Sequence, residues 1–280
     1  LTLPASLAIS IVVFKPDLAW LTRTLATLVA ALRHAQEAGV LHHATVVLVD
    51  NESTSRVSPH ITLMETHLRG IGEWLQWETL SGHGNLGYGA GNNLAIERYR
   101  HTDVHLILNP DVACAPGALT AGLQYLQAEP HCAMVSPVAI TPDGEPLFHI
   151  KDYPSLAVLG LRGFAPDSLR RRFAPYMRRY ERGSIPFDAP ILDARLVSGC
   201  FMLTRRWALD RTGGFDPSFF LYFEDFDLSL RISELAPIHR VPACRIEHGG
   251  GHAARKGARH IRLFIVSAFR FYMRYGWRLI

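Results

Sequence analysis

A chain of 280 residues with 48% hydrophobic and 19% charged residues has the balance of a globular protein with one sizeable core, which excludes disordered and fibrous classes. No apolar run approaches the roughly 20 residues that a membrane-spanning helix needs, and the start lacks a basic region and cleavage site, so the expected compartment is the cytoplasm. The net charge of +4 is modest but uneven: Arg162, Arg170, Arg171, Arg172, Arg178, Arg179 and Arg182 face only Asp167 and Glu181 nearby, a patch that suits anionic partners. Nucleic acid is not expected among them, because interleaved aromatics and a nucleic-acid motif are absent. Cys114, Cys132, Cys200 and Cys244 have no paired spacing and are expected as buried thiols, with neither a zinc site nor a disulfide framework suggested.

The first element, Ala8 to Phe14, is apolar and β-branched and closes at Lys15-Pro16-Asp17, as a buried parallel strand does. Trp20, Leu21, Leu25, Leu28, Val29 and Leu32 then share one helical face, and Gly39 supplies the stop. A second strand, Thr45 to Val49, ends at Asp50-Asn51. A βαβ unit is right-handed, so Phe14 and Asp50 both emerge on the carboxyl edge. A weaker helix over 60–69, a short strand over 75–80, the glycine-rich 81–93 and a helix over 91–99 lead to the strand Val104 to Leu108. Pro110 cannot join a sheet ladder, so this strand stops there and delivers Asp111 to a surface. The order β-α-β-α-β-α-β predicts a mostly parallel sheet covered by helices on both faces.

A helix over 116–126 and a strand over 133–138 continue the alternation. From Lys151 to Pro190 there is no clean periodicity, and five prolines accompany the arginine cluster, so a long mobile insertion is expected. A strand over 193–205 is interrupted at Ser198-Gly199-Cys200, and Gly213-Gly214-Phe215-Asp216 is a tight turn. Glu224, Asp225 and Asp227 occupy the first turn of the next helix, where its dipole favours carboxylates, and Asp227 can pair with Arg231. A strand over 238–246 ends at Glu247-His248 before three glycines, and an amphipathic helix rich in aromatics and arginine closes the chain. The expected organisation is a domain over 1–257 carrying the 151–190 insertion on its acceptor side, followed by a helix over 258–280 that packs on the domain or faces a membrane.

Gly82-His83-Gly84-Asn85-Leu86-Gly87 matches GxGxxG with Asp111 roughly 24 residues on, the spacing of a dinucleotide site. That makes an NAD(P)-dependent oxidoreductase a rival, although the motif does not follow the first strong strand. The same glycines, with Asn85, Asn92 and Asn93, equally let backbone lie close to a ribose and phosphates. Asp50, Asp111, Asp225 and His248 fall at chain ends on one sheet edge. Their types suit transfer from an activated diphosphate: a carboxylate for the N3 proton of a pyrimidine, an oxygen and an imidazole for a divalent cation, and a free carboxylate as general base. Taken singly, each also has a plain structural role as a turn, dipole or loop residue.

In order, Val49-Asp50-Asn51-Glu52-Ser53, Asn85 to Asn93, Leu108-Asn109-Pro110-Asp111, Val197 to Met202, Gly213 to Asp216 and Tyr222 to Leu228 resemble the family 2 inverting glycosyltransferases of the GT-A fold, particularly the bacterial rhamnosyltransferase branch. The resemblance covers roughly Ile9 to His248. It implies a GT-A, Rossmann-like mixed and mostly parallel α/β sheet with a C-terminal helical extension. It also implies that Phe14, Asp50, Asn85, Gly87, Asn92 and Asn109 bind the nucleotide, with Asp50 on the pyrimidine. Asn109-Pro110-Asp111 stands where many relatives carry Asp-x-Asp, so Asp111 is the implied ligand of Mg2+ or Mn2+, His248 the second ligand and Asp225 the catalytic base. Acceptor-side candidates are Glu224, Tyr222 and Arg178. Asn109 departs from the pattern by replacing a carboxylate with an amide, which leaves one fewer charge for the cation.

The implied reaction moves L-rhamnose from dTDP-rhamnose to a hydroxyl of a saccharide or lipid-linked saccharide acceptor in bacterial cell-surface polysaccharide synthesis, with peripheral contact at the inner face of the cytoplasmic membrane. A UDP-sugar donor is the nearer alternative, because uracil and thymine share the N3 proton. A non-catalytic nucleotide-sugar binding module is the more distant one.

Overall fold

The computed structural model describes residues 4–52, 59–250 and 257–280. The Ser53 end of the first motif and Gly251 therefore lie outside the described residues. In chain order the elements are β1 (Ala5–Val13), α1 (Leu18–Glu37), β2 (Leu41–Asp50), α2 (Pro59–Leu68), β3 (Leu75–Leu80), α3 (Tyr88–Arg98), β4 (Val104–Leu108), β5 (Val112–Cys114), α4 (Ala118–Ala128) and β6 (Met134–Ile140). They continue with β7 (Pro146–Leu147), β8 (Ile150–Lys151), α5 (Leu156–Phe164), α6 (Asp167–Arg172), α7 (Ala174–Tyr180), β9 (Ile191–Ala194), β10 (Leu196–Val197) and β11 (Phe201–Arg205). The last are α8 (Arg206–Thr212), α9 (Glu224–Leu235), β12 (Ile238–His248) and α10 (Ala258–Tyr275).

The main sheet runs in the order β3-β2-β1-β4-β11-β6-β12-β5, with β7 on β6 and β9 on β12; β8 and β10 pair separately. β1 to β4 are mutually parallel, whereas β11 lies antiparallel between β4 and β6. The sheet is thus mixed, with its parallel half built as the alternating pattern predicts. Strand alternation assigns its two faces. Ile9, Ile11 and Val13 of β1 pack in one core with Leu21, Leu25, Leu28 and Leu32 of α1 and with α4, while Val12 turns to Ala95 of α3 on the other face. A further core joins Ile107, Met134 and Met202 to Phe215 and to Leu228 and Ile232 of α9. Asp17 caps α1 by accepting from the backbone N–H of Ala19 at 2.8 Å and of Trp20 at 3.2 Å.

Two boundaries differ from expectation. α3 begins at Tyr88 rather than near Gly91, so Gly89 and Gly91 lie inside a helix, where a Cβ would press on Phe215 and on Val12 respectively. They are packing glycines. The segment expected as an irregular insertion folds into α5, α6 and α7; Asp152 after β8 donates its backbone N–H to Tyr180 O at the end of α7, and Leu156 and Ala157 of α5 donate theirs to Arg278 O and Leu279 O, pairings between residues too distant in sequence to be read from it. Tyr153 stacks on Phe271 at 5.4 Å, and Tyr272 donates from its hydroxyl to Pro154 O at 3.0 Å.

Candidate active site

The carboxyl ends of β1, β2 and β4 form one edge. Val13 and Asp50 are register partners, and Asn51 donates its backbone N–H to Val13 O at 2.9 Å. This closes β1 and β2 together, leaving Phe14 exposed at the rim and Asp50 buried at the strand end. The Asn51 side chain donates from Nδ2 to Gly87 O at 2.9 Å, and Asn85 Oδ1 accepts the Gly87 N–H at 2.9 Å. Asn51 Oδ1 is buried with no hydrogen-bond partner among the described residues. Gly87 sits at φ 87° and ψ −179°, a region essentially closed to side chains, and a Cβ there would stand 2.1 Å from Phe220 O. Asn51, Asn85 and Gly87 are therefore one locked loop next to Asp50 at the strand ends.

Asn92, expected at the nucleotide, belongs to the scaffold. It is fully buried, accepts from Ser10 Oγ at 2.6 Å and donates to Tyr88 O at 3.0 Å. Asn93 likewise holds the Gly214-Phe215 turn, bonding the Phe215 backbone N–H and carbonyl at 2.9 and 2.8 Å. The GxGxxG run follows β3, the outermost strand of the parallel half, not a central strand, which removes the basis of the dinucleotide reading. A groove of about 1260 Å³ between β3, α3 and α8, lined by Trp77, His83 and Arg98 among others, contains of the residues predicted for the site only Asn93, which the turn above already engages.

Beyond β4, Asn109 donates its backbone N–H to Cys200 O at 2.9 Å, continuing the register in which Leu108 faces Phe201. Pro110 turns the chain, and Val112 of β5 pairs antiparallel with His248 of β12. That register brings Asp111 to His248, although 137 positions of sequence separate them: Oδ1 and Nε2 stand 3.4 Å apart, and Gly249 donates its N–H to Asp111 O at 2.8 Å. Two donors at this spacing suit an ion held at roughly 2.1 Å from each. Gly250 has no Cβ, and one placed there would fall 2.2 Å from Asp111 Oδ2, so the glycine keeps this side of the carboxylate open. The residues fit a divalent cation.

His149 and Cys200 stand beside His248. Cys200 Sγ lies 3.4 Å from Nδ1 and 3.7 Å from Nε2 of His149, whose Nε2 lies 3.4 Å from His248 Nδ1. Burial pushes the Cys200 thiol up, but the two imidazoles more than reverse this and bring it to about 5. Burial pulls His248 down, whereas Cys200 and Asp111 raise it to about 10. Opposite charges in a poorly solvated cluster stabilise one another. The four cysteines are free and buried, as expected, but Cys200 is not merely packing.

Asp225 is the second residue of α9, which Glu224 opens after two residues in the left-handed region, Tyr222 at φ 72° and Phe223 at φ 65°. Its Oδ2 accepts the Gly199 N–H at 2.8 Å and its Oδ1 accepts the Phe226 N–H at 2.9 Å. Burial raises the carboxyl to about 6, despite these two donors, which favour the anion. Gly199 packs against Asp225 at the distance where a Cβ would be 3.0 Å from the aspartate Cβ. Since Gly199 precedes Cys200, Asp225 joins the Cys200, His149, His248 and Asp111 cluster through successive backbone and side-chain contacts. Glu224 is buried beside it; burial, then the neighbouring Asp225 charge, pushes it well above the usual carboxylate range, and its Oε2 has no hydrogen-bond partner among the described residues.

The remaining acceptor-side candidates are engaged elsewhere. Tyr222 Oη lies 2.9 Å from His260 Nδ1 on α10, and Arg178 donates from Nε to Gly183 O at 2.9 Å. Arg162 pairs with Glu181 and Arg182 with Asp193, while Arg171, Arg172 and Arg179 are exposed. The fully buried Asp227 binds Arg231 at 2.6 Å, as predicted, and also Arg274 at 2.6 Å and Tyr275 Oη at 2.7 Å, which ties α10 to the helix that carries Asp225.

No family model matches the chain. It is 28% identical over 200 residues to an N-acetylglucosaminyl-diphospho-decaprenol L-rhamnosyltransferase of Mycobacterium tuberculosis, covering 67% of this chain and 64% of the relative, so it spans under two thirds of that protein's length. It is 29% identical over 207 residues to the rhamnosyltransferase WbbL of Escherichia coli K12, covering 70% and 71%. Among solved structures it is similar to GalNAc-T7 with UDP, GalNAc and Mn2+ (TM-score 0.62, 12% identity, 91% of this chain and 45% of that one). It is also similar to the mannosyltransferase PcManGT of Pyrobaculum calidifontis with GDP-Man and Mn2+ (TM-score 0.62, 14% identity, 98% and 66%). By fold the chain is similar to GT-A glycosyltransferases, and by sequence it is similar to two rhamnosyltransferases.

Proposed function

We propose that this chain is an inverting glycosyltransferase that moves L-rhamnose from dTDP-rhamnose to a hydroxyl of a lipid-linked saccharide in bacterial cell-surface polysaccharide synthesis. The observation that carries this is Asp225: a carboxylate oriented by two backbone N–H groups, raised to about 6 by burial, in contact through Gly199 and Cys200 with the Asp111–His248 pair. The two rhamnosyltransferase relatives, one named for a diphospho-decaprenol acceptor, support the sugar and the acceptor class.

In this reading Asp50 accepts the pyrimidine N3 proton, with Phe14 at the rim and the Asn85–Gly87 loop lying along the ribose and phosphates. Asp225 takes the proton of the acceptor hydroxyl as that oxygen attacks the anomeric carbon, and the nucleoside diphosphate leaves from the opposite face, which inverts the centre. Asp111 and His248 would hold Mg2+ or Mn2+, an ion that offsets charge on the departing diphosphate. Glu224, neutral beside Asp225, keeps a second negative charge away from the base.

A lipid-linked acceptor would bring this work to a bilayer surface. Among the described residues no helix is long and apolar enough to cross a membrane. α10 instead exposes Ile261, Ile265, Phe269 and Met273 at four-residue spacing, followed by exposed Trp277. Such an apolar stripe, with arginines on either side and the exposed Arg171, Arg172 and Arg179, suits an interfacial helix on anionic lipid.

The test is a transfer assay with dTDP-rhamnose and UDP-sugars against a polyprenyl-diphosphate-linked N-acetylglucosamine acceptor, with product stereochemistry read by NMR. Rhamnosyl transfer with inversion is expected; retention, or transfer from a UDP-sugar only, would refute the corresponding part. Flotation with anionic vesicles should recover the wild type and lose Phe269→Glu, and equal recovery of both would remove the membrane claim.

A further inference from the structure

The thiol and imidazole beside His248 have no role in the transfer chemistry above, yet their donors are arranged as a metal site. The groups are a ring nitrogen each of His149 and His248 with Cys200 Sγ, all within 4.8 Å of one another. The sulfur is 3.7 Å from His149 Nε2, and that nitrogen is 3.4 Å from His248 Nδ1. A tetrahedral zinc with Zn–S near 2.3 Å and Zn–N near 2.05 Å separates sulfur from nitrogen by roughly 3.5 Å and nitrogen from nitrogen by roughly 3.4 Å. The sulfur stands beside both ring nitrogens of His149, 3.4 Å from Nδ1 and 3.7 Å from Nε2, so a modest turn of that ring would direct Nε2 at a shared ion. The fourth position is left open, as in zinc sites that exchange a water or ligand.

Behind the donors, His248 Nε2 faces Asp111 Oδ1 at 3.4 Å. A carboxylate on the far nitrogen of a metal-binding histidine fixes its tautomer and strengthens it as a ligand. Cys200 is 2% exposed, so bulk water does not compete for its sulfur.

We propose that His149, Cys200 and His248 form a thiolate-containing site for a borderline divalent ion of the zinc type, with Asp111 supporting His248 from behind. A thiolate and two imidazoles select zinc or cobalt over Mg2+ and Mn2+, which prefer oxygen donors. Binding releases the proton on His248 Nδ1. The two ion types compete for one imidazole: zinc takes Nδ1 and turns Nε2–H toward Asp111, which withdraws the ring from a cation on the Asp111 side. Zinc is therefore an inhibitor of the proposed transfer. That consequence rests on the transferase reading, but the site does not.

The site is tested with Co2+ as a spectroscopic stand-in, added to the chelator-stripped full chain. One Co2+ per chain is expected, with a thiolate-to-cobalt charge-transfer band and the strong visible bands of tetrahedral cobalt, all abolished by one equivalent of Zn2+. Cys200→Ser should lose the charge-transfer band, His149→Ala should weaken binding at least about tenfold, and Asp111→Asn should keep the band while weakening binding by about 10- to 100-fold. Should a variant fail to fold, the wild type still reports: Zn2+ should slow alkylation of Cys200, followed on its own peptide by mass spectrometry, and Mg2+ should not. Absence of the band in the wild type, its persistence in Cys200→Ser, or an alkylation rate unmoved by Zn2+ overturns the proposal. None of these readouts uses turnover, so a failed transfer assay leaves the site standing.

Discussion

Asp225→Asn separates the base from its surroundings, because the structure opposes two effects of similar size. The buried carboxyl is held at about 6 rather than 3.8, so as an anion it costs the fold about 3 kcal/mol. Asparagine removes that charge. It also has only one acceptor oxygen where the aspartate uses two, for the N–H groups of Gly199 and Phe226, and turning an amide NH2 toward one of them costs about 1–3 kcal/mol. The two nearly cancel, and the variant is expected to stay folded within about 2 kcal/mol of the wild type. Its transfer rate should fall by about 10²–10⁴, the usual contribution of a positioned general base. The wild-type kcat/KM should decline about tenfold per pH unit below about 6, as the base becomes protonated.

Stability moves the opposite way. The folded-state carboxyl is raised above its unfolded value, so the folded chain holds the extra proton between about pH 4 and pH 6 and loses stability as pH rises through that window. In Asp225→Asn this contribution disappears, and the variant gains relative to wild type from pH 4 to 6. Steady-state kinetics and urea unfolding at matched pH values measure both. A kcat within tenfold of wild type, or a flat kcat/KM between pH 5 and 7, would falsify the assignment.

Asp111→Ala should weaken dTDP-rhamnose binding in Mn2+ by at least about tenfold while leaving metal-free binding of the nucleotide little changed; calorimetry with and without chelator reads this, and equal affinities in Mn2+ would refute it. Gly87→Ala should lower stability by more than about 1–3 kcal/mol, because the strain at φ 87° adds to a clash with Phe220 O. An unchanged unfolding midpoint in urea would show that the loop relaxes. Asp227→Ala leaves Arg231 and Arg274 without their shared carboxylate, and a loss of about 3 kcal/mol is expected, the low end for a buried ion pair because Arg274 is half exposed and can rehydrate. A loss below 1 kcal/mol would mean that α10 is held mainly by Phe271 and Tyr272.

The parallel half of the sheet was legible in the residues because each strand there is a short apolar run ended by a proline, a glycine or a carboxylate, and the first helix shows a clear 3.6-residue stripe. Asp50, Asp111, Asp225 and His248 could be placed on one edge for the same reason, since each lies at the end of an element. What adjacency in sequence could not show is the pairing across the sheet. The antiparallel register of β5 with β12 sets Asp111 against His248, and β11, inserted antiparallel beside β4, carries Gly199 and Cys200 to Asp225 and His149. His149 lies in a segment of two-residue strands, too short for any periodic signal, and Cys200 read as an ordinary buried thiol. Asn92 looked like a ligand-facing amide because its type and loop suit one, whereas the tight helix-to-strand contact at Gly91 buries it against Ser10. Local composition thus determined the strands, the helices and the candidate carboxylates. Long-range strand pairing decided which of those groups touch, because hydrogen-bond register across a sheet joins residues a hundred positions apart and leaves no mark on either segment alone.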